Sequence, residues 1–90
     1  MRYEWDEDKR RSNLAKHRLD FADVELGFDW ELARFAEDDF RGEQRGQAIG
    51  YLFDTVAVVV YTLRGDKCRL ISLRPAAPRE RRAYEKTIAS

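Results

Sequence analysis

Three groups of residues in this 90-residue chain have types and spacings suited to phosphate or proton-transfer chemistry. The first is "RLISLRPAAPRERRAYEK", from Arg69 to Lys86, where arginines gather across a strand-to-helix junction. A guanidinium fork binds phosphate or carboxylate bidentately. Arg74 ends the strand, Arg79 opens the helix, and Glu80 and Tyr84 share a helix face. One reading is a phosphate held by Arg74, with Glu80 and Tyr84 handling protons; the other is an internal Arg74–Glu80 ion pair with Tyr84 packed. The second group is Glu43-Gln44-Arg45. If the strand already runs through Gln44, the carboxylate and guanidinium share a face, and a carboxylate so placed stays ionised and ready as a base. A surface ion pair is the alternative. The third is His17, the sole histidine, at the basic end of a helix. There it serves as a general acid, a phosphate contact or a cap. Lys9, Asn13, Lys16 and His17 fall on one face of that helix. No zinc-ligand spacing, phosphate-cradling glycine loop or serine elbow occurs, so neither metal nor cofactor is expected.

Composition sets the frame for these groups. The length gives one domain, residues 1–90, with a single modest core. The formal net charge is zero, yet residues 1–63 carry nine Lys/Arg against fourteen Asp/Glu, and residues 64–90 carry eight against three, or −5 and +5. The basic part suits a polyanion or an acidic partner, unless the two halves neutralise each other within the fold. The lone Cys68 has no internal disulfide partner and reads as a small buried thiol. No N-terminal apolar segment or membrane-length run occurs, so the expected setting is the cytoplasm, away from membranes.

The elements that must position the candidates follow from local pattern. "YEW" starts as a short strand. Asp6 caps a helix over "EDKRRSNLAKHRL", with acids in its first turn and bases in its last. Asp20 caps a second short helix, "FADVEL", that Gly27 closes. "WELARFAE" alternates like an exposed strand, and "DDFRGEQRG" reads as a polar loop that solvates Asp38 and Asp39. "QAIGYLFD" is a strand whose Gly50 hints at a bulge or a close backbone approach. "TVAVVVYTL" is the most apolar, β-branched run and reads as the central strand. "RGDK" is a hairpin turn, "CRLISLR" the next strand, and Pro78 begins a final helix. Strict alternation puts Leu70, Ser72 and Arg74 on one face and Arg69, Ile71 and Leu73 on the other. The expected fold is α+β, a small antiparallel sheet of three or four main strands with N- and C-terminal helices covering one face.

"WDEDKRRSNLAKHRLDF", "GEQRGQAIG", "VAVVVYT" and "RLISLRPAAPRERRAYE" together resemble the BrnT family, the toxin component of type II toxin–antitoxin modules. The matching positions are Trp5, Asp6, Lys9, Asn13, Lys16, His17 and Phe21, then Glu43 and Arg45, then Arg69, Ile71, Ser72, Arg74, Glu80 and Tyr84. The resemblance implies a RelE-like fold and an RNA-cleaving activity that arrests growth. It also implies an antitoxin with a ribbon-helix-helix DNA-binding domain, so that DNA is met only through the complex. On that reading Arg74 and Arg45 hold the phosphate, and Glu43 or Glu80 is the base. His17 or Tyr84 is the acid, and Lys9, Lys16 and Arg79 bind flanking RNA. A rival reading has no catalysis: the basic half docks a partner, and the chain serves as a co-repressor subunit.

Overall fold

A computed structural model describes residues 2–40 and 43–89, and the side chains of these apart from those of 38–44. The elements run β1 (Arg2–Trp5), α1 (Glu7–His17), α2 (Ala22–Gly27), β2 (Arg34–Phe40), β3 (Glu43–Leu52), β4 (Thr55–Arg64), β5 (Lys67–Pro75) and α3 (Pro78–Ala89). They form one sheet in the order β1-β5-β4-β3-β2, with the apolar β4 at its centre as its composition requires. The strands β2 to β5 make the expected antiparallel meander. The expected three or four antiparallel strands become a five-stranded mixed sheet, because β1 joins the edge parallel to β5. Pairing Tyr3 with Cys68 and Trp5 with Leu70 lets both aromatics pack on the core. The polar stretch read as a loop is also largely strand. β2 runs through Phe40 and β3 starts at Glu43, so Asp38 and Asp39 lie in a strand.

Local chemistry accounts for the element ends. The Asp6 carboxylate accepts the N–H groups of Asp8 and Lys9 at 2.9 and 3.2 Å and starts α1. Arg18 closes that helix in the left-handed region, its N–H reaching the Leu14 carbonyl. Asp20 accepts the Ala22 N–H at 3.0 Å at the head of α2 and also receives the Arg10 guanidinium, which ties α1 to α2. Gly65, at φ 62, opens the two-residue turn between β4 and β5. At Gly50 a Cβ would stand 3.1 Å from the Phe28 ring, so the bare backbone marks the close approach its sequence suggested.

The sheet has two unlike faces. On one, α2 and the residues flanking it bury Ala48, Leu52, Ala57, Val59, Cys68, Leu70 and Leu73 against Phe21, Val24 and Phe28. A fully buried Leu or Phe there stabilises the fold by about 1.5–3 kcal/mol. The other face carries Gln47, Ile49, Val58, Val60, Ser72 and Arg74, and α3 crosses only part of it. The helices therefore do not all cover one face, as the sequence reading had them. The reason is a β-bulge: Tyr61 pairs with Leu70 and Val60 with Ser72, which leaves Ile71 as an extra residue. The extra residue changes the phase of the strand. Leu73 joins Leu70 in the core, and Arg74 turns to the opposite face, where it meets α3. Among the described residues no helix is long and apolar enough to cross a membrane.

Candidate functional site

Cross-strand pairing arranges the open face in rows. The first row links Glu4 to Arg69 and Arg69 to Thr62, and the β3–β4 register carries it on to Arg45. The second links Ser72, Val60, Gln47 and Ala36. The third links Arg74, Val58, Ile49 and Arg34. Directly opposed residues point to the same side, so four arginines from three strands share this face. Alternate residues lie about 6.8 Å apart along a strand, which puts the arginine rows roughly 13 Å apart with the second row between them.

Two of these arginines are held by carboxylates. Arg69 donates to Glu4 at 2.9 Å. Arg74 donates from both terminal nitrogens to Glu80, at 2.7 and 2.9 Å. The same Glu80 carboxylate accepts the Ala77 N–H at 2.8 Å, so it also closes the first turn of α3 in the manner of a capping box. The Arg74 hydrogen bond, then that of Ala77, pulls the Glu80 carboxyl down to about 2, and Glu80 raises Arg74 in return. Glu80 is thus a carboxylate at neutral pH and a weak proton acceptor. Its geometry suits it to aim Arg74. Arg34 donates to the Leu32 carbonyl at 3.3 Å.

Tyr84 lies beneath α3, 3% exposed, with its ring against Tyr51 and its hydroxyl donating to the Leu32 carbonyl at 2.9 Å. Burial raises its pKa. Tyr84 therefore fastens α3 to the sheet, the packing alternative of the sequence reading. Beside it a cleft of about 340 Å³ opens between α3 and the sheet, lined by Ala36, Gln47, Ile49, Val58, Glu80 and Ala83.

The structure brings Arg45, Arg74, Glu80 and Tyr84 to this one face, and Arg79 is exposed on the first turn of α3. Glu43 lies in β3 two residues before Arg45, and its side chain is outside the described ones. Lys9, Lys16 and His17 are not part of the face. They belong to α1, which packs on the other side of the sheet. The tie between the two sides is Asn13, whose amide bonds Leu73, the residue before Arg74. Arg69, Arg34, Gln47 and Ser72 are site members that sequence reasoning did not select. Arg69 and Ser72 had a signal, as positions of the family pattern to which no role was given. The others become visible only once the register aligns β2, β3 and β5. Among the described residues no group of three or more His, Cys, Asp or Glu side chains could hold a metal ion.

An open sheet face with rows of guanidinium forks, hydroxyls and an amide is chemically a surface for phosphates along a flexible chain. A comparison with curated proteins gives no match. The model of the family described as "Ribonuclease toxin, BrnT, of type II toxin-antitoxin system" matches residues 5–80. That span runs from Trp5 at the end of β1 to Glu80 beneath Arg74. The chain belongs to this family of ribonuclease toxins, whose members act as one half of a toxin–antitoxin pair.

Proposed function

We propose that the chain is an endoribonuclease that cuts RNA without a metal ion and arrests growth until a cognate antitoxin covers it. The observation that carries the reading is the row geometry: Arg45, Arg69, Arg74 and Arg34 on one open face. In the reaction the ribose 2′-OH attacks the adjacent phosphorus while a base takes its proton. The bond from phosphorus to the 5′-oxygen breaks, and an acid protonates that oxygen. The products are a 2′,3′-cyclic phosphate and a free 5′-OH. Arg74 and Arg45 stabilise the charge on the phosphorane oxygens. Glu43, next to Arg45 in the strand alternation, is the base, since Glu80 is held by Arg74. The leaving 5′-oxygen takes its proton from water at the open face, because His17 lies with α1 on the other side of the sheet and the Tyr84 hydroxyl is held by the Leu32 carbonyl. Arg79, exposed on the first turn of α3, binds a flanking phosphate, whereas Lys9 and Lys16 lie with α1 away from this face. The architecture belongs with RelE-like nucleases, and the antitoxin carries a ribbon-helix-helix domain through which the pair meets DNA.

A second reading, docking without catalysis, is favoured by one observation: Arg69 and Arg74 are already satisfied by Glu4 and Glu80. The purified chain, incubated with RNA in EDTA, decides between them. Cleavage leaving 2′,3′-cyclic ends is expected. Intact RNA, or cutting that Mg²⁺ must restore, would leave the docking role or a metal mechanism in its place.

A further inference from the structure

The row between the arginines is unlike its neighbours. Gln47 and Ser72 flank Val60 on three adjacent strands, so their backbone positions lie about 9.6 Å apart with an apolar residue between them. Both polar side chains are half-buried, and neither has a hydrogen-bond partner among the described residues. Gln47 also stands at the mouth of the cleft between α3 and the sheet. An amide on an open face offers a donor and an acceptor side by side to a ligand.

We propose that Gln47, Val60 and Ser72 form a nucleobase subsite, in which the base lies on Val60 and Gln47 reads its hydrogen-bonding edge. The subsite rests on the reading that this face binds RNA. The arginine rows, about 6.8 Å to either side, hold the sugar–phosphate chain and carry no sequence information. The middle row supplies what they lack. The amide of Gln47 matches a base edge that offers a donor next to an acceptor, and adenine is the commonest partner of glutamine in that role. Ser72 donates or accepts and so tolerates more than one base. The bulge at Ile71 is what brings Ser72 level with Val60 and Gln47, an instance of a bulge re-aiming a side chain at a site.

The test reads binding rather than cleavage. Short 2′-O-methyl homopolymers of A, C, G and U, which cannot undergo attack by the 2′-oxygen, are titrated against the folded chain by fluorescence anisotropy. The expected result is a difference of at least about five-fold between the best and worst base, which Gln47→Leu abolishes while the salt dependence of binding remains. Ser72→Ala, the gentler change, narrows the difference without removing it. Equal affinity for all four bases in the wild type, or a base preference that survives Gln47→Leu in a folded variant, overturns the subsite. So does the absence of binding. Base-selective binding by a chain that cuts nothing in EDTA supports the subsite and removes the metal-free nuclease.

Discussion

The side-chain amide of Asn13 bonds both backbone groups of Leu73, donating to its carbonyl at 2.7 Å and accepting its N–H at 3.2 Å. Pairing between β1 and β5 ends at Trp5 and Leu70, so the amide takes the place of a further strand residue on the open edge of β5. It also donates to the Leu19 carbonyl at 3.1 Å, which fixes the chain leaving α1. Replacing Asn13 with Ala leaves the Leu73 N–H and carbonyl without these partners in a half-buried place. The expected cost is about 1–3 kcal/mol in urea unfolding, with the slope unchanged. A midpoint equal to that of the wild type would show that water replaces the amide at no cost.

Arg74→Ala should remove on the order of 2–4 kcal/mol of transition-state stabilisation, as loss of an oxyanion donor does. Stability should fall by no more than about 1 kcal/mol, because the Arg74–Glu80 pair is over a third exposed. Glu80→Gln keeps the guanidinium and should lose less activity than Arg74→Ala. Comparing kcat/KM for RNA cleavage in the two variants checks this order. Equal or greater loss in Glu80→Gln would make Glu80 the base after all.

Glu80 also gives the fold a pH signature. Its carboxyl is lowered from 4.5 to about 2 by Arg74 and the Ala77 N–H. A lowered folded-state value means that the contribution is complete above the unfolded value of 4.5 and is lost as pH falls toward about 2. Glu80→Gln has no such proton to gain. The stability advantage of the wild type over the variant should therefore shrink between pH 4.5 and pH 2 and stay level above that range. Urea midpoints measured across the interval test it, and parallel curves would detach Glu80 from acid unfolding.

The antitoxin should cover Arg45, Arg69 and Arg74. Residues 64–90 carry a net charge of +5, and the same guanidinium forks suit an acidic peptide or RNA phosphates, one at a time. A 90-residue domain has little other surface for an interface of about 800 Å² per partner. Affinity should fall as salt is raised. A crystal structure of the pair with this face open to solvent would instead mean inhibition from a distance.

Much of the scaffold was legible because its signals are local. Asp6 and Pro78 mark helix starts by chemistry that acts within one turn, and the β-branched run of β4 declares a central strand. The close approach at Gly50 was readable because a bare Cα inside a strand has few other uses. Non-local facts were not readable. Nothing in "RYEW" states that it will lie parallel to β5. The bulge at Ile71 has no composition cue, yet it alone decides that Arg74 and Leu70 part company. The Arg74–Glu80 pair was one of two readings of the same spacing, and only the coordinates of α3 choose between a carboxylate that receives protons and one that aims an arginine. Gln47 and Ser72 lie on separate strands, and their common row exists only through the register of β4 between them.

The parallel pairing of β1 with β5 has a temporal meaning. Glu4 meets Arg69 across a separation of 65 residues, and Asn13 meets Leu73 across 60. During synthesis β1 and α1 emerge well before β5, the strand they dock on. Neither can find its native place until residue 73 has left the ribosome. Long-range pairings of this kind form late and slowly. The opening of the chain thus waits, its apolar side uncovered, for the strand that carries Arg69 and Arg74. The arginine face and the support behind it are completed in the same closing step.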